Sequence, residues 1–340
     1  MLSSMSGLRR VLVIMIAALV IAACSVQSST DTGSRSKPTP TPCWRSPLTD
    51  TCGDATQPVI AVKIDDVNEA RPQFSLNNVD LVIVEPVEGG LTRLFAIYQS
   101  QSPTYVGPVR SARITDIDLV PAFGTPGFAY SGSASRLVPF LLDAQLQLIG
   151  APQGGDGYFR IDDRAAPHNY VAELSVLRSR IDDPAAASAS NIRGWSFDQP
   201  GIDVGTPVTE VAVRWPAAKK SYYWNGTAWS MRTNGQPLLT QLDLDGTTEA
   251  VTANNIAIME SELLPSPFTD KNGSRTPYVQ TEGSGNGLVL TRGKLINATW
   301  KRTGKADLPR WFTPDGVEIS FTRGRTWWLI VTDLAGVTYN

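Results

Sequence analysis

Histidine is nearly absent from this 340-residue chain, which carries a single one at His168. With three cysteines besides, the sequence offers no set of ligands spaced for zinc, and no metal site is expected. Two nucleotide and hydrolase signatures are also missing. No G-K-[ST] follows a glycine-rich loop, and no G-x-S-x-G elbow occurs, so neither a Walker phosphate loop nor that type of serine hydrolase is encoded. No cofactor is implied. A formal net charge of −2 gives no electrostatic footprint for nucleic acid. The apolar run Val11–Ala23 is too short for a comfortable membrane span.

What that run does fit is the core of a signal peptide over 1–23, preceded by Arg9 and Arg10. It ends in "VIAAC", and the small residues before Cys24 resemble the lipobox of bacterial lipoproteins, in which the cysteine is diacylated and becomes the mature N-terminus. Two acyl chains suffice for stable anchoring. An ordinary signal peptide or a short anchor is the alternative. Lipidation of Cys24 would leave Cys43 and Cys52 as an even pair in an oxidising compartment, either bridged across "CWRSPLTDTC" or as two free thiols. The expected location is the cell membrane of a bacterium, lipid-anchored and facing the extracytoplasmic side.

Residues 24–57 read as the lipidated cysteine, a tether rich in Ser, Thr and Pro, and the small cysteine loop. Residues 58–200 read as an N-terminal α/β domain with a mixed sheet. "PVIAVKI" and "DLVIVEP" are apolar on both faces and suit covered strands, with "ARPQFSLNNVD" between them long enough for a crossover helix. "LTRLFAIYQ" and "GFAYSG" follow as strands. Ser111 is placed to cap a helix in "ARITDIDLVPAF", and a second helix starts or breaks at Pro139. After a turn-rich linker, 205–340 reads as a smaller, mostly antiparallel β domain without a long helix. Its Asn225-Gly226 and Asn234-Gly235 pairs are hairpin signals. The whole is α+β or α/β.

Several residues are candidates for chemistry. Asp65, Asp66 and Glu85 lie at strand ends, with Glu88 one turn later; such carboxylates serve acid–base work or hold a cation, or they simply cap and pair locally. Arg71, Arg93, Arg110 and Arg113 surround them. "GPVRSAR" sets Arg110, Ser111 and Arg113 at an expected helix start, where backbone N–H groups and guanidinium forks favour an anion. The competing reading is an internal Arg–Glu lattice. His168, in "RAAPHNY", is a candidate general base beside Glu88, or a plain turn residue. The glycine-rich "GAPQGGDGYFR" reads as a mobile surface loop. The tryptophans of the second half are either a sugar-stacking face or core.

Taken in order, "AVKIDDVNEARPQ", "VEPVEGGLTRLFAIYQS", "GPVRSAR", "YFRIDDRAAPHN", "LINATWKR" and "GRTWWLIV" resemble the YerB-like lipoprotein family of bacterial envelopes over about 58–335. That family is a two-part domain of unknown function, which implies no cofactor and no established activity. Within its motifs Arg160 and Asn169 join the ligand candidates. At Asp65–Asp66 the chain departs from the pattern, where an Asn is expected, so the resemblance implies no essential carboxylate there. Three readings result. The first is a lipid-anchored protein that binds an anionic or glycan cell-wall component or an envelope protein. The second is a cell-wall hydrolase or transferase using Glu85 or Glu88 with His168 and Arg110. The third is a purely structural envelope protein.

Overall fold

The structure, a computed structural model, describes residues 43–199, 204–270 and 273–340. The signal peptide, Cys24 and the Ser/Thr/Pro tether lie outside the described residues. Thirteen strands carry the architecture. In the first half they are β1 (Ile60–Asp65), β2 (Leu81–Pro86), β3 (Thr92–Tyr98), β4 (Gly127–Ala129), β5 (Tyr158–Arg160) and β6 (Tyr170–Glu173). In the second they are β7 (Glu210–Trp215), β8 (Ala218–Trp224), β9 (Trp229–Thr233), β10 (Asn255–Glu260), β11 (Gly283–Thr291), β12 (Lys294–Arg302) and β13 (Thr326–Val331). Three α-helices of six residues each, α1 (Ile114–Leu119), α2 (Val138–Asp143) and α3 (Leu174–Ser179), complete the frame.

An 11-stranded mixed sheet runs in the order Thr206–Pro207, β12, β11, β10, β13, β2, β3, β1, β4, Gln147–Leu148, with Arg310–Phe312 beside β12. Its centre joins the two halves of the chain: β13 lies parallel to β2, with Leu81 opposite Thr326 and Val84 opposite Leu329. The sheet therefore runs straight across the composition break near 200, and Cys43–Asn340 forms one compact unit. Both strands are buried on both faces, so their backbone N–H and C=O groups must find partners in neighbouring strands, and each supplies the other's.

Every residue of β1 and β3 is buried. On one face Ile60, Val62, Ile64, Val82, Val84 and Leu94 pack with Val211, Val213, Tyr222 and Trp229 of β7–β9. On the other, Ala61, Ile83, Phe95 and Ile97 pack with Leu119, Phe123, Leu137 and Leu141 from the helical segments. The tryptophans serve this core rather than an outer face. Trp229, Trp311, Trp327 and Trp328 are fully buried, and the Trp215 and Trp300 indoles donate to the carbonyls of Ile330 and Glu260.

Two local expectations are corrected. No crossover helix links β1 to β2; the segment holds only the turn Asn68–Ala70 and the strand Gln73–Phe74, and β3 lies between β1 and β2. Gln73–Phe74 pairs with Leu239–Gln241, so its backbone is engaged across the chain and cannot close helical bonds. The helix after "GPVRSAR" is capped at Arg113, not Ser111, and tightens at Pro121 into a 3₁₀ turn. The hairpin signals hold: Asn234 and Gly235 both adopt positive φ, 48° and 82°, between β9 and Gln236–Pro237.

Cys43 and Cys52 form a disulfide, closing the small loop. Among the described residues no helix is long and apolar enough to cross a membrane.

The Gly89–Gly90 turn, with φ of 71° and 72°, docks on the β7–β8 turn, where the Ala217 N–H donates to the Gly90 carbonyl. A Cβ on Gly90 would lie 2.6 Å from Pro216 Cβ. Gly90→Ala should therefore cost roughly 1–3 kcal/mol, from the left-handed backbone and the contact together. Chemical denaturation measures it, and an unchanged midpoint would show that this docking contributes nothing to stability.

Candidate functional site

The site is set by strand register. β3 is antiparallel to both β1 and β2, and Arg93 stands directly between Asp65 and Glu85. Because side chains alternate faces, Lys63 and Asp65 point to the helical side of the sheet while Asp66 points to the other. The consecutive carboxylates of "KIDD" therefore cannot act as a pair at one site.

On the helical side Asp65 is buried, and its Oδ2 is shared. The His168 Nδ1–H donates to it at 2.8 Å and the Arg110 Nε lies 3.0 Å away. The carboxylate thus fixes the imidazole tautomer and leaves Nε2 as the outer nitrogen. Neither that Nε2 nor the Arg110 terminal nitrogens has a partner among the described residues, and both side chains are about one-fifth exposed (21% and 19%). Arg110 is held by its backbone: its N–H donates to the Lys63 carbonyl, and its carbonyl accepts from the Ser131 N–H. Arg93 reaches the Ser111 carbonyl at 3.0 Å. Burial, then the neighbouring Arg113 and Arg110, push the Arg93 guanidinium down to about 9, against the pull of Asp65 and Glu88.

Behind them one cation serves two carboxylates. Lys63 is fully buried between Glu85 and Asp116, with Nζ 2.7 Å from Asp116 Oδ1; burial pushes it down to about 8 although Asp116 opposes this. Asp116 Oδ2 also accepts the Arg113 backbone N–H at 2.6 Å, closing the start of α1 on the protein's own carboxylate. That helix start is therefore not an anion seat. Glu88 takes a two-pronged bond from Arg113, at 3.0 and 2.8 Å, and another from the Thr276 hydroxyl.

The other candidates divide in two. Asp66 and Arg71 belong to the opposite face, where Asp66 binds Lys220 at 2.7 Å, Arg71 at 3.2 Å and the Thr92 hydroxyl, tying β1 to β8. Arg160 and Asn169 meet each other, Nη1 to Oδ1 at 2.6 Å, next to His168. Of the expected set, Asp65, Arg93, Arg110, Ser111 and His168 come together. Glu85 faces Lys63, and Glu88 is committed to Arg113, so the carboxylate partner of His168 is Asp65 rather than Glu88. Sequence reading passed over Lys63, Asp116, Lys220, Thr276 and Arg164. Only Lys63 left a signal, as a cation inside an apolar strand. Among the described residues no group of His, Cys, Asp and Glu could hold a metal ion.

The Glu88–Arg113 pair yields a pH test. Burial raises the Glu88 carboxyl, but Arg113 and Thr276 lower it further, so it lies below 4.5 when folded. A depressed folded value stabilises above 4.5 and is lost as pH falls through the folded value. Glu88→Gln should lower stability by roughly 1–3 kcal/mol at pH 7, and the gap to the native chain should close on acidification. Thermal melts from pH 7 to pH 3 measure it; a gap independent of pH contradicts the assignment.

The family described as "Protein of unknown function (DUF3048)" matches in two parts, its N-terminal domain over residues 47–187 and its C-terminal domain over 211–328. A Bacillus subtilis protein named "Putative lipoprotein YerB" is 28% identical over 298 residues, 81% of this chain and 81% of that protein. The crystal structure of YerB from Bacillus subtilis matches with a TM-score of 0.72 at 24% identity, over 87% of this chain and 99% of that one, which shows a common fold. The chain belongs to the DUF3048 family, whose function is unknown, and is YerB-like over most of its length.

Proposed function

We propose that the protein is a lipid-anchored, extracytoplasmic binding protein that holds an anionic component of the bacterial cell envelope between Arg93, Arg110 and His168. One observation carries this reading: at a half-open edge the outer nitrogens of Arg110 and His168 have no partner among the described residues. Buried Asp65 pre-positions both donors, so an incoming anion meets groups whose ordering cost is already met by the fold. Arginine forks suit phosphate or carboxylate oxygens. The signal-like N-terminus, the "VIAAC" stretch and the lipoprotein name of the Bacillus subtilis relative support the location.

The test is calorimetric titration of the full-length chain in detergent with inorganic phosphate and with acetate. Arg110→Gln, which leaves the buried lattice in place, should weaken binding about 10- to 100-fold. Unchanged affinity in a variant of native thermal stability would remove the reading.

The Asp65–His168 pair favours a second reading, a hydrolase or transferase acting on envelope material. A buried carboxylate on Nδ1 leaves Nε2 placed to take a proton from an attacking water or hydroxyl. Glu88, locked on Arg113, is not available for that task. Turnover of a chromogenic phosphodiester should then fall at least about 100-fold in His168→Gln. Turnover unaffected by that change, or none in the native chain, sinks this second reading.

A further inference from the structure

Helix α2 meets the rest of the protein with one side only. Leu137, just before it, and Leu141 within it are buried in the core on the helical face of the sheet. Pro139 sits in the first turn, where its missing N–H costs no helical bond, and the chain turns extended again at Ala144. In so short a helix, one pair of side chains four residues apart is all that reaches inward. The other five residues of α2 are exposed. Four of them, Val138, Pro139, Phe140 and Leu142, are apolar. Leu142 is 69% exposed, more than any other large hydrophobic side chain among the described residues. Phe140 stands edge-on to buried Phe268 at 5.5 Å, so its ring is held in place while half of it meets water. Single exposed apolar side chains are ordinary, but four gathered on one six-residue helix mark a contact surface.

Two observations say what covers it. Cys24 and Cys43 are 19 positions apart, so a lipid on Cys24 keeps the body within about 65 Å of fully extended chain from the bilayer. The second is where that chain enters the body. Trp44, next to Cys43, and Leu48 pack into the same helical-face core as Leu137 and Leu141. The anchored segment therefore joins the body on the face of the sheet that carries α2, and the bilayer is the surface present there at high effective concentration.

We infer that α2 docks in the bilayer interface, with Val138, Phe140 and Leu142 among the lipid headgroups and upper acyl chains. The assignment rests on the lipid-anchored reading above. A weak contact suffices, because the anchor already meets the cost of bringing the body to the surface. Arg136 and Asp143 flank the apolar knob, both exposed and without a hydrogen bond or ion pair among the described residues. Their charges offset each other, so apolar burial drives docking and neutral lipid serves as well as anionic lipid. Docking also sets orientation. In the segment leading from β4 into α2, the Ser131 N–H donates to the Arg110 carbonyl and the Gly132 carbonyl accepts from the Ala112 N–H. A docked α2 thus holds the Arg110 rim at a fixed height and orientation above the membrane.

The experiment places an environment-sensitive fluorophore on the full-length lipidated chain in phosphatidylcholine vesicles, through Leu142→Cys or, as a control on the sheet of β7–β9, Gln236→Cys. With Cys24 acylated and Cys43 bridged to Cys52, the introduced thiol is the only free one. Emission at position 142 should rise at least about twofold over the vesicle-free chain and be quenched by spin-labelled lipid, while position 236 stays aqueous. Val138→Ser with Phe140→Ser should abolish the rise and leave vesicle flotation and the thermal melt unchanged. If the chain floats with vesicles but position 142 stays aqueous, docking is overturned and the anchor stands. If the rise follows protein concentration rather than lipid, a second copy covers α2 and docking is overturned. If the chain does not float with vesicles, both anchor and docking are overturned.

Discussion

Burying ionic groups at the end of apolar strands is the constraint around which this molecule is organised. Lys63, Glu85 and Asp116 are all removed from water beneath the helical layer. Removing one partner from such a group is expensive, because the remaining charge is left alone in a low dielectric. The register of β1, β2 and β3 makes the arrangement possible. It sets Arg93 between Asp65 and Glu85 and brings Lys63 within reach of both β2 and α1. The interior set holds one cation against two carboxylates, and Arg93, in register with Glu85, offsets that excess. The interior is thus a lattice of buried ion pairs, while at the rim the outer nitrogens of Arg110 and His168 have no partner among the described residues.

The pleat divides labour between neighbouring acids. Asp65 turns to the rim and holds His168 and Arg110, whereas Asp66 turns to the opposite layer and binds Lys220 of β8. One short segment therefore positions the donors of the site and fastens the second half of the chain to the first. The Gly89–Gly90 turn does the same a few residues later, with Glu88 on Arg113 and Thr276 and the Gly90 carbonyl on Ala217. The division of the family into two parts is a division of sequence. In space the parts share one sheet through β2 and β13, which is why the composition break near 200 leaves no gap in it.

Much of the strand framework was legible. β1 to β3 announce themselves as continuous apolar runs, and Asn234-Gly235 marks a hairpin because few other residue pairs accept two positive φ angles cheaply. The helices were less legible. "ARITDIDLVPAF" has helical spacing, but Pro121 and the Asp116 cap confine α1 to six residues. At the site, the arginines, Asp65 and His168 could be named as candidates, but their partners could not. His168 and Asp65 are 103 residues apart, and Glu88 and Thr276 are 188 apart, so nothing local in the sequence pairs them.

The sequence by itself determined the apolar strands, their turns and the residue types gathered at the candidate site, because these follow from local sterics, hydrophobic pattern and side-chain chemistry. Tertiary structure alone decided which carboxylate serves which cation. That choice depends on register and on the faces of β1 to β3: a shift of one residue would exchange Asp65 for Asp66 and place the lattice on the opposite layer of the sheet.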